Sequence, residues 1–515
     1  MIKKIHLKHL LTTFLVLKCM LAFCTTSIKN DTITYTISPS KLSNALHVQL
    51  NFIARGSETK LYFPSSWASE KNYYKCIKNL QVNNKNEQHL IDNNKLEFDS
   101  LGNITYSYFS KSTTQTYSIE YDLIQDTIQD LMYNGKYAGQ FRPIIQKDFF
   151  QINAYQFMLL PDIIYDDDSS YATSIKISFK NFSIKWNFAG SIICKNNIML
   201  ISHNYPDYFQ NIGIIGTTNK IYTYKINECK LNITNLNGTP YINDTVIINK
   251  AKRVMEYQLN KVWKDTTLKN YTISYVVYKT DDDKVMSSFY NGTALNDMFL
   301  VAATSNANTD HLDYLFGHEL THQWIGGKID FEGNDFAPNT WFREGFTDYM
   351  TITNSYKSKL GSFEQFLKNI NAVITEYYCS PVAEIPNDSL VNNFWKDNNY
   401  NKLPYRRGFI FAMYLNYLMK EHSNGEFNMT DFMQELFNWS IENKDKKLNN
   451  ALFIRMVNKH TKQPVDDFFK EHIMDGKLIQ VDEWDFKSAA YLYFEKTKCN
   501  NKLIEIPQFK SKSDF

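Results

Sequence analysis

The hydrophobic pattern changes period part-way along the chain, and that change bounds the fold. From residue 33 to about 242, apolar and polar residues alternate in short runs separated by turn residues: "TITYTISPS", "LHVQLNFIA", "NITYSYFS", "TYSIEYDLI", "SIKISFKNFSIKWNF" and "KIYTYKINECKLNITNL". Period two sends successive side chains to opposite faces, so these runs predict antiparallel strands with one buried face. The spacing then becomes helical in "NKAKRVMEYQLNKVWKD". "YTISYVVYKT" and "NDMFLVAATSN" read as two further strands, the second an edge strand. From residue 342 the chain is mostly helical in spacing, as in "REGFTDYMTITNSY" and "RRGFIFAMYLNYLMKEH". This order predicts a multidomain α+β protein. Its expected parts are an N-terminal antiparallel β-sandwich over 25–242, a mixed domain over 243–375, a helical domain over 376–485 and a tail over 486–515.

Of the 515 residues, 43% are hydrophobic and 21% charged, which excludes a disordered chain. A net charge of +2 offers no basic surplus, so no nucleic-acid partner is expected. Lys3, Lys4 and Lys8 precede an apolar run from Leu10 to Phe23 that Lys18 interrupts. The run is too short to span a bilayer and predicts a signal peptide over 1–24, with export to a periplasm, cell surface or exterior. "LAFC" ends at Cys24 and hints at lipidation there, which is the membrane attachment this sequence suggests, although Phe23 is bulky for such a box. Cys76, Cys194, Cys229, Cys379 and Cys499 show no C-x-x-C spacing. A disulfide among them is compatible with export, but the pairing is not legible.

The segment "FGHELTHQWIGG" spans residues 316–327. On a helix, His318 and His322 project from one face on successive turns, which suits two nitrogens on one Zn²⁺. Glu319 then falls beside the ion, where it serves as general base to a water. A third ligand is required. The candidates are Glu332, in the polar loop "DFEGND", and Glu344, in "WFREGF".

"HELTHQW", "WFREGFTDY" and "PYRRG" together resemble the glycyl aminopeptidase family of gluzincin zinc peptidases, related to the aminopeptidase N family. "LYFPSSWASEKNYYKCIKNLQV" and "KQPVDDFFKEHIMDG" extend the resemblance over most of the chain, more weakly. The resemblance implies a thermolysin-like catalytic domain over 243–375 that acts on peptides or proteins. It makes Glu344 the third ligand, and Asp348 the acceptor of the far N–H of a ligand histidine. It gives the Tyr405 hydroxyl the task of stabilising the oxyanion.

Two departures stand out. The tail after Asp485 is too short for the PDZ domain that often ends this family. The wider superfamily carries G-x-M-E-N before the zinc helix, and its glutamate holds the substrate's free amino group. Here the stretch is "NGTALNDMF": Gly292 matches, but no glutamate follows, and Asn296 and Asp297 stand nearby. If this stretch is a strand, Asn296 and Asp297 face opposite sides. Asn296 toward the cleft implies tolerance of blocked peptides, as in an endopeptidase, whereas Asp297 implies a strict aminopeptidase. The rival from another class is a peptide-binding protein on the same fold without catalysis. Such a protein needs neither Glu319 nor Tyr405, and both are present.

Overall fold

The computed structural model describes residues 29–512, except 56–57, 64–65, 68–69, 72, 85–86, 91–96, 99–103, 110–113, 126–131, 134–135, 138–141, 162–170, 202–210, 279–289, 308–311, 334–336, 395 and 445. The expected signal peptide and Cys24 therefore lie outside the described residues. Two compact units divide the chain between Thr218 and Asn219.

In the first unit the alternation becomes an eight-stranded sheet with two four-stranded sheets. One buried row crosses six strands of the large sheet: Met199, Ile177, Tyr35, Leu50, Ile119 and Val82, each registered with the next. Residues one position along face the other way, which is why the sequence alternates. The expectation of a purely antiparallel sheet needs correcting, because Lys29–Pro39 and Tyr171–Phe179 pair in parallel. A parallel pair needs a long crossover, and the chain between these strands supplies one. Local alternation carries no information about that choice.

The second unit opens with β1 (Tyr222–Ile226) and β2 (Cys229–Asn235). It continues through α1 (Asp244–Tyr257), β3 (Asn270–Tyr278), β4 (Tyr290–Leu295) and β5 (Met298–Thr304). The strands form one sheet in the order β1-β2-β3-β5-β4. β2 pairs in parallel with β3, so the first hairpin belongs to this sheet, and the expected boundary at 242 moves to 218. β5 lies between β3 and β4, which corrects its reading as an edge strand; β4 holds the edge.

The helices that follow include α2 (Leu312–Thr321), α3 (Gly345–Lys357), α4 (Phe363–Tyr378), α5 (Asn398–Ser423), α6 (Met429–Glu442) and α7 (Asn450–Asn458). Asn243, Ser362, Asp397, Asn428 and Asn449 accept backbone N–H bonds at helix starts, satisfying donors that a helix cannot pair internally. The tail is a hairpin, β6 (Ala490–Cys499) with β7 (Lys502–Ser511). A Cys379–Cys499 disulfide ties it to the end of α4. Asn371 also exchanges two 2.8 Å bonds with the Phe509 backbone. Among the described residues no helix is long and apolar enough to cross a membrane.

Candidate metal centre and active site

α2 is fixed before it presents anything. Gln258, just past α1, donates to the Thr321 hydroxyl at 2.6 Å and accepts from the Trp263 indole at 2.6 Å. Trp263 stacks on Trp324 at 5.2 Å. Gly317 lets α3 approach, since a Cβ there would lie 2.9 Å from the Thr351 methyl. His318 stands on the last turn of α2, and His322 one residue beyond its end, its N–H still bonded to the His318 carbonyl at 3.3 Å.

Glu344 interrupts an otherwise continuous run between the short turn Thr340–Arg343 and α3. Trp341, Phe342 and Phe346 surround it in sequence and pack on one another and on Phe453 beneath. α5 crosses at its closest on Gly345 and Gly408. A Cβ on Gly345 would meet the Gly408 Cα at 2.5 Å, and one on Gly408 would meet the Trp341 carbonyl oxygen at 1.8 Å. Only glycine permits this approach. Tyr405, one turn before Gly408, is thereby brought beside the Glu344 carboxylate, whose charge helps to raise its phenol. The helical spacing reads from "RRGFIFAMYLNYLMKEH" onward; α5 begins earlier, at Asn398, so Pro404 and Tyr405 lie inside it.

Three atoms converge. His318 Nε2 and His322 Nε2 are 3.1 Å apart, and Glu344 Oε2 lies 3.3 and 3.4 Å from them. Two nitrogens and an oxygen bound at about 2.0–2.1 Å to a tetrahedral ion would be separated by about 3.3 Å. The donor set and its spacing therefore fit a zinc-type cation, and these residues form a group able to hold a metal. Glu332 is elsewhere: its N–H bonds the Leu448 carbonyl and its carboxylate accepts from Asn449.

The far nitrogen of each imidazole is occupied. His318 Nδ1 lies 2.8 Å from Asp348 Oδ1, and His322 Nδ1 lies 3.2 Å from the Ile325 carbonyl. These bonds fix both rings with Nε2 toward the ligand point. The Asp348 side chain is only 1% exposed, and it also accepts from the Tyr314 hydroxyl and from Arg406 Nη1 at 2.9 Å. Arg406 Nε reaches Glu376 at 2.5 Å. Sequence reasoning missed Tyr314 and Arg406. Tyr314 sits one turn before His318, a spacing that could have revealed it; Arg406 gave no local signal beyond adjacency to Tyr405.

Charge follows from this packing. Burial pushes the Glu344 carboxyl up, but His322 and His318 outweigh it and hold the group well below the usual carboxylate range. Burial lowers the His318 imidazole, yet the bonds to Asp348 and Glu344 reverse this and raise it. Glu319 is raised, first by burial, with His318 and His322 pulling the other way. It accepts a backbone bond from Ala294 on β4. A Cβ at Gly292 would come 3.0 Å from Glu319 Cγ, so Gly292 makes room for this side chain. Burial, then Glu344, Asp348 and Glu319, raise Tyr405 far above the phenol range and keep it a donor.

Asn296 and Asp297 are not strand residues. They form the two-residue turn between Leu295 and Met298, with Asp297 at a φ of 51°. Strand alternation therefore does not apply to them. Asp297 accepts from Gln323 Nε2 at 2.6 Å and donates its N–H to Gln323 Oε1 at 3.2 Å. Burial pushes its carboxyl up to about 6, against the pull of Lys328 and Gln323.

Residues 312–401 match the family model described as M61 glycyl aminopeptidase. The match covers His318, Glu319, His322, Glu344 and Asp348 and ends before Tyr405, whose place rests on the geometry above. A leucine aminopeptidase 2 from Aspergillus clavatus is 26% identical over 207 residues, covering 38% of this chain. The chain spans 30% of the length of that relative. The crystal structure of an aminopeptidase N family protein from Idiomarina loihiensis superposes with a TM-score of 0.72 at 14% identity, over 91% of this chain and 80% of that one. The resemblance to glycyl aminopeptidases and the aminopeptidase N family holds, and the fold and the family match are of peptidase type.

Proposed function

We propose that this chain is an exported, zinc-dependent peptidase that hydrolyses peptide bonds with Glu319 as general base and Tyr405 as oxyanion donor. The observation that carries the reading is the set of three ligand atoms at 3.1–3.4 Å with Glu319 on the turn between the two histidines. Zn²⁺ held by His318, His322 and Glu344 would supply Lewis-acid polarisation. Glu319, raised by burial, takes a proton from the attacking water and passes it to the leaving amine. Tyr405 remains protonated and donates a hydrogen bond where negative charge develops on the scissile carbonyl. Asp348, with Tyr314 and Arg406 behind it, holds the His318 ring in place.

The test is a Glu319→Gln variant assayed on a fluorogenic peptide library, with metal content measured after dialysis. Turnover should fall by about two to four orders of magnitude while zinc is retained. Loss of zinc together with activity would place Glu319 among the ligands; unchanged turnover would leave the peptide-binding reading standing.

The same geometry bears on which peptides are accepted. β4 carries no carboxylate between Tyr290 and Leu295, and Asp297 is engaged by Gln323. A charged amino group would be costly to desolvate there without a partner. The enzyme is therefore expected to cleave N-acetylated peptides about as well as free ones. A matched pair of such peptides tests this, and strict dependence on the free amine returns the strict aminopeptidase reading. Export is supported by the Cys379–Cys499 disulfide, a bond that persists in oxidising compartments.

A further inference from the structure

One end of the large sheet in the first unit gathers apolar and basic side chains, and the acidic group that reaches it, Asp122, is largely covered and taken up by Ser40 at 2.8 Å and Asn79 at 2.8 Å. Lys29–Pro39 and Tyr171–Phe179 are parallel, so their C-terminal ends share one rim. Lys180 donates its N–H to the Ile37 carbonyl at 2.9 Å, and Phe179 donates to the Asn197 carbonyl at 2.9 Å. These bonds bring the segments around residues 40–44, 180–186 and 195–197 to that rim. The segments 37–45 and 179–199 contain Lys41, Lys180, Lys185 and Lys195, and neither Asp nor Glu. All four lysines are exposed, and none has an acidic partner among the described residues.

At the tip of the middle segment Ile184 is 101% exposed, and Leu42 on the neighbouring segment is 44% exposed. A single exposed aliphatic is ordinary. This one is held on a built support. Phe179 stacks on Phe188 at 4.1 Å, Phe182 sits edge-on to Phe188 at 5.1 Å, and Trp186 packs on Phe182 at 4.9 Å and on Phe150 at 5.8 Å. The Trp186 N–H closes the turn on the Ser183 carbonyl at 3.1 Å. The loop is thus braced by its own aromatic residues while Ile184 projects from it.

We infer that this rim docks on an anionic lipid surface. Ile184 and Leu42 enter the headgroup boundary, the half-buried rings of Phe182 and Trp186 lie at interface depth, and the lysines meet lipid phosphates. Charge complementarity favours this occupant, because a rim of four exposed lysines with no acidic partner among the described residues, around an aliphatic tip, matches a surface that is negative outside and apolar beneath. The inference is independent of the peptidase reading.

The experiment is flotation of the full chain with phosphatidylcholine vesicles, with and without about 30% phosphatidylglycerol, at two salt concentrations. Two variants are compared with the parent: Ile184→Asp, and Lys180→Glu with Lys185→Glu. All share residues 1–28, so differences between them do not come from that segment. Far-UV circular dichroism and the urea unfolding midpoint serve as the folding check and should be unchanged, because Lys180, Ile184 and Lys185 are exposed. The parent should float only with the anionic vesicles and less well at high salt. Each variant should lose about tenfold or more of the bound fraction. The inference is overturned if the parent floats equally with neutral vesicles or with neither. It is also overturned if the variants float like the parent, or if the rim binds a soluble acidic protein but not the vesicles.

Discussion

Gly408→Ala tests the contact that assembles the site. The added Cβ would lie 1.8 Å from the Trp341 carbonyl oxygen, whereas ordinary contact begins at 3.4 Å. The obstacle is backbone, so it cannot rotate away, and α5 must retreat by roughly 1.5 Å if ordinary contact is to be restored. Overpacking of this kind typically costs about 1–3 kcal/mol. α5 also carries Tyr405 one turn earlier, so the retreat draws its hydroxyl from Glu344 and from the reacting carbonyl. A displacement of about 1 Å at a reacting group costs on the order of 100-fold in rate. Urea unfolding and steady-state turnover of the same preparation are the two assays. A lower urea midpoint with kcat down by about two orders of magnitude is expected. If stability and kcat both match the parent, the helices do not approach as described. If stability falls but kcat does not, Tyr405 is not held by this contact, and its role in the site fails.

Tyr405→Phe should lower kcat by about 100- to 1000-fold with little change in KM, since it removes one donor used mainly in the transition state; single-turnover kinetics would detect a smaller effect and move the oxyanion role elsewhere. Glu344→Ala should strip zinc on dialysis while Glu332→Ala keeps it, and the reverse outcome by metal analysis would displace both Glu344 and the rationale for Asp348. Asp297 is raised from 3.8 to about 6, so the folded state holds its proton longer than the unfolded chain does, and this group's contribution to stability falls as pH rises from about 4 through 6. The total is up to about 3 kcal/mol, and Asp297→Asn should remove that part of the slope in urea midpoints taken across this range; an unchanged slope would show that Asp297 ionises normally.

Much of this protein was legible in the chain because the relevant signals are local. Period two in residues 33–130 produced strands because alternation alone decides which face is buried. His318, Glu319 and His322 were readable because helical geometry fixes neighbours one turn apart. The three-part order of strands, mixed elements and helices followed from the same periodicities.

Tertiary structure decided what depends on contacts between distant segments. The parallel pairing of Lys29–Pro39 with Tyr171–Phe179, and the attachment of Tyr222–Asn235 to the second unit's sheet, are choices of partner that alternation does not encode. Asn296 and Asp297 read as strand residues, yet the chain turns there, because Leu295 and Met298 pair directly and leave only two residues to reverse it. Glu344 and Glu332 are chemically identical; packing of the helix after Glu344 against α5 brings one to the imidazoles, and the loop before it carries the other to Leu448. Arg406 behind Asp348, and Cys379 with Cys499, likewise meet only when elements far apart in sequence are in place. A sequence specifies such meetings through the whole packed core, so no short window of it displays them.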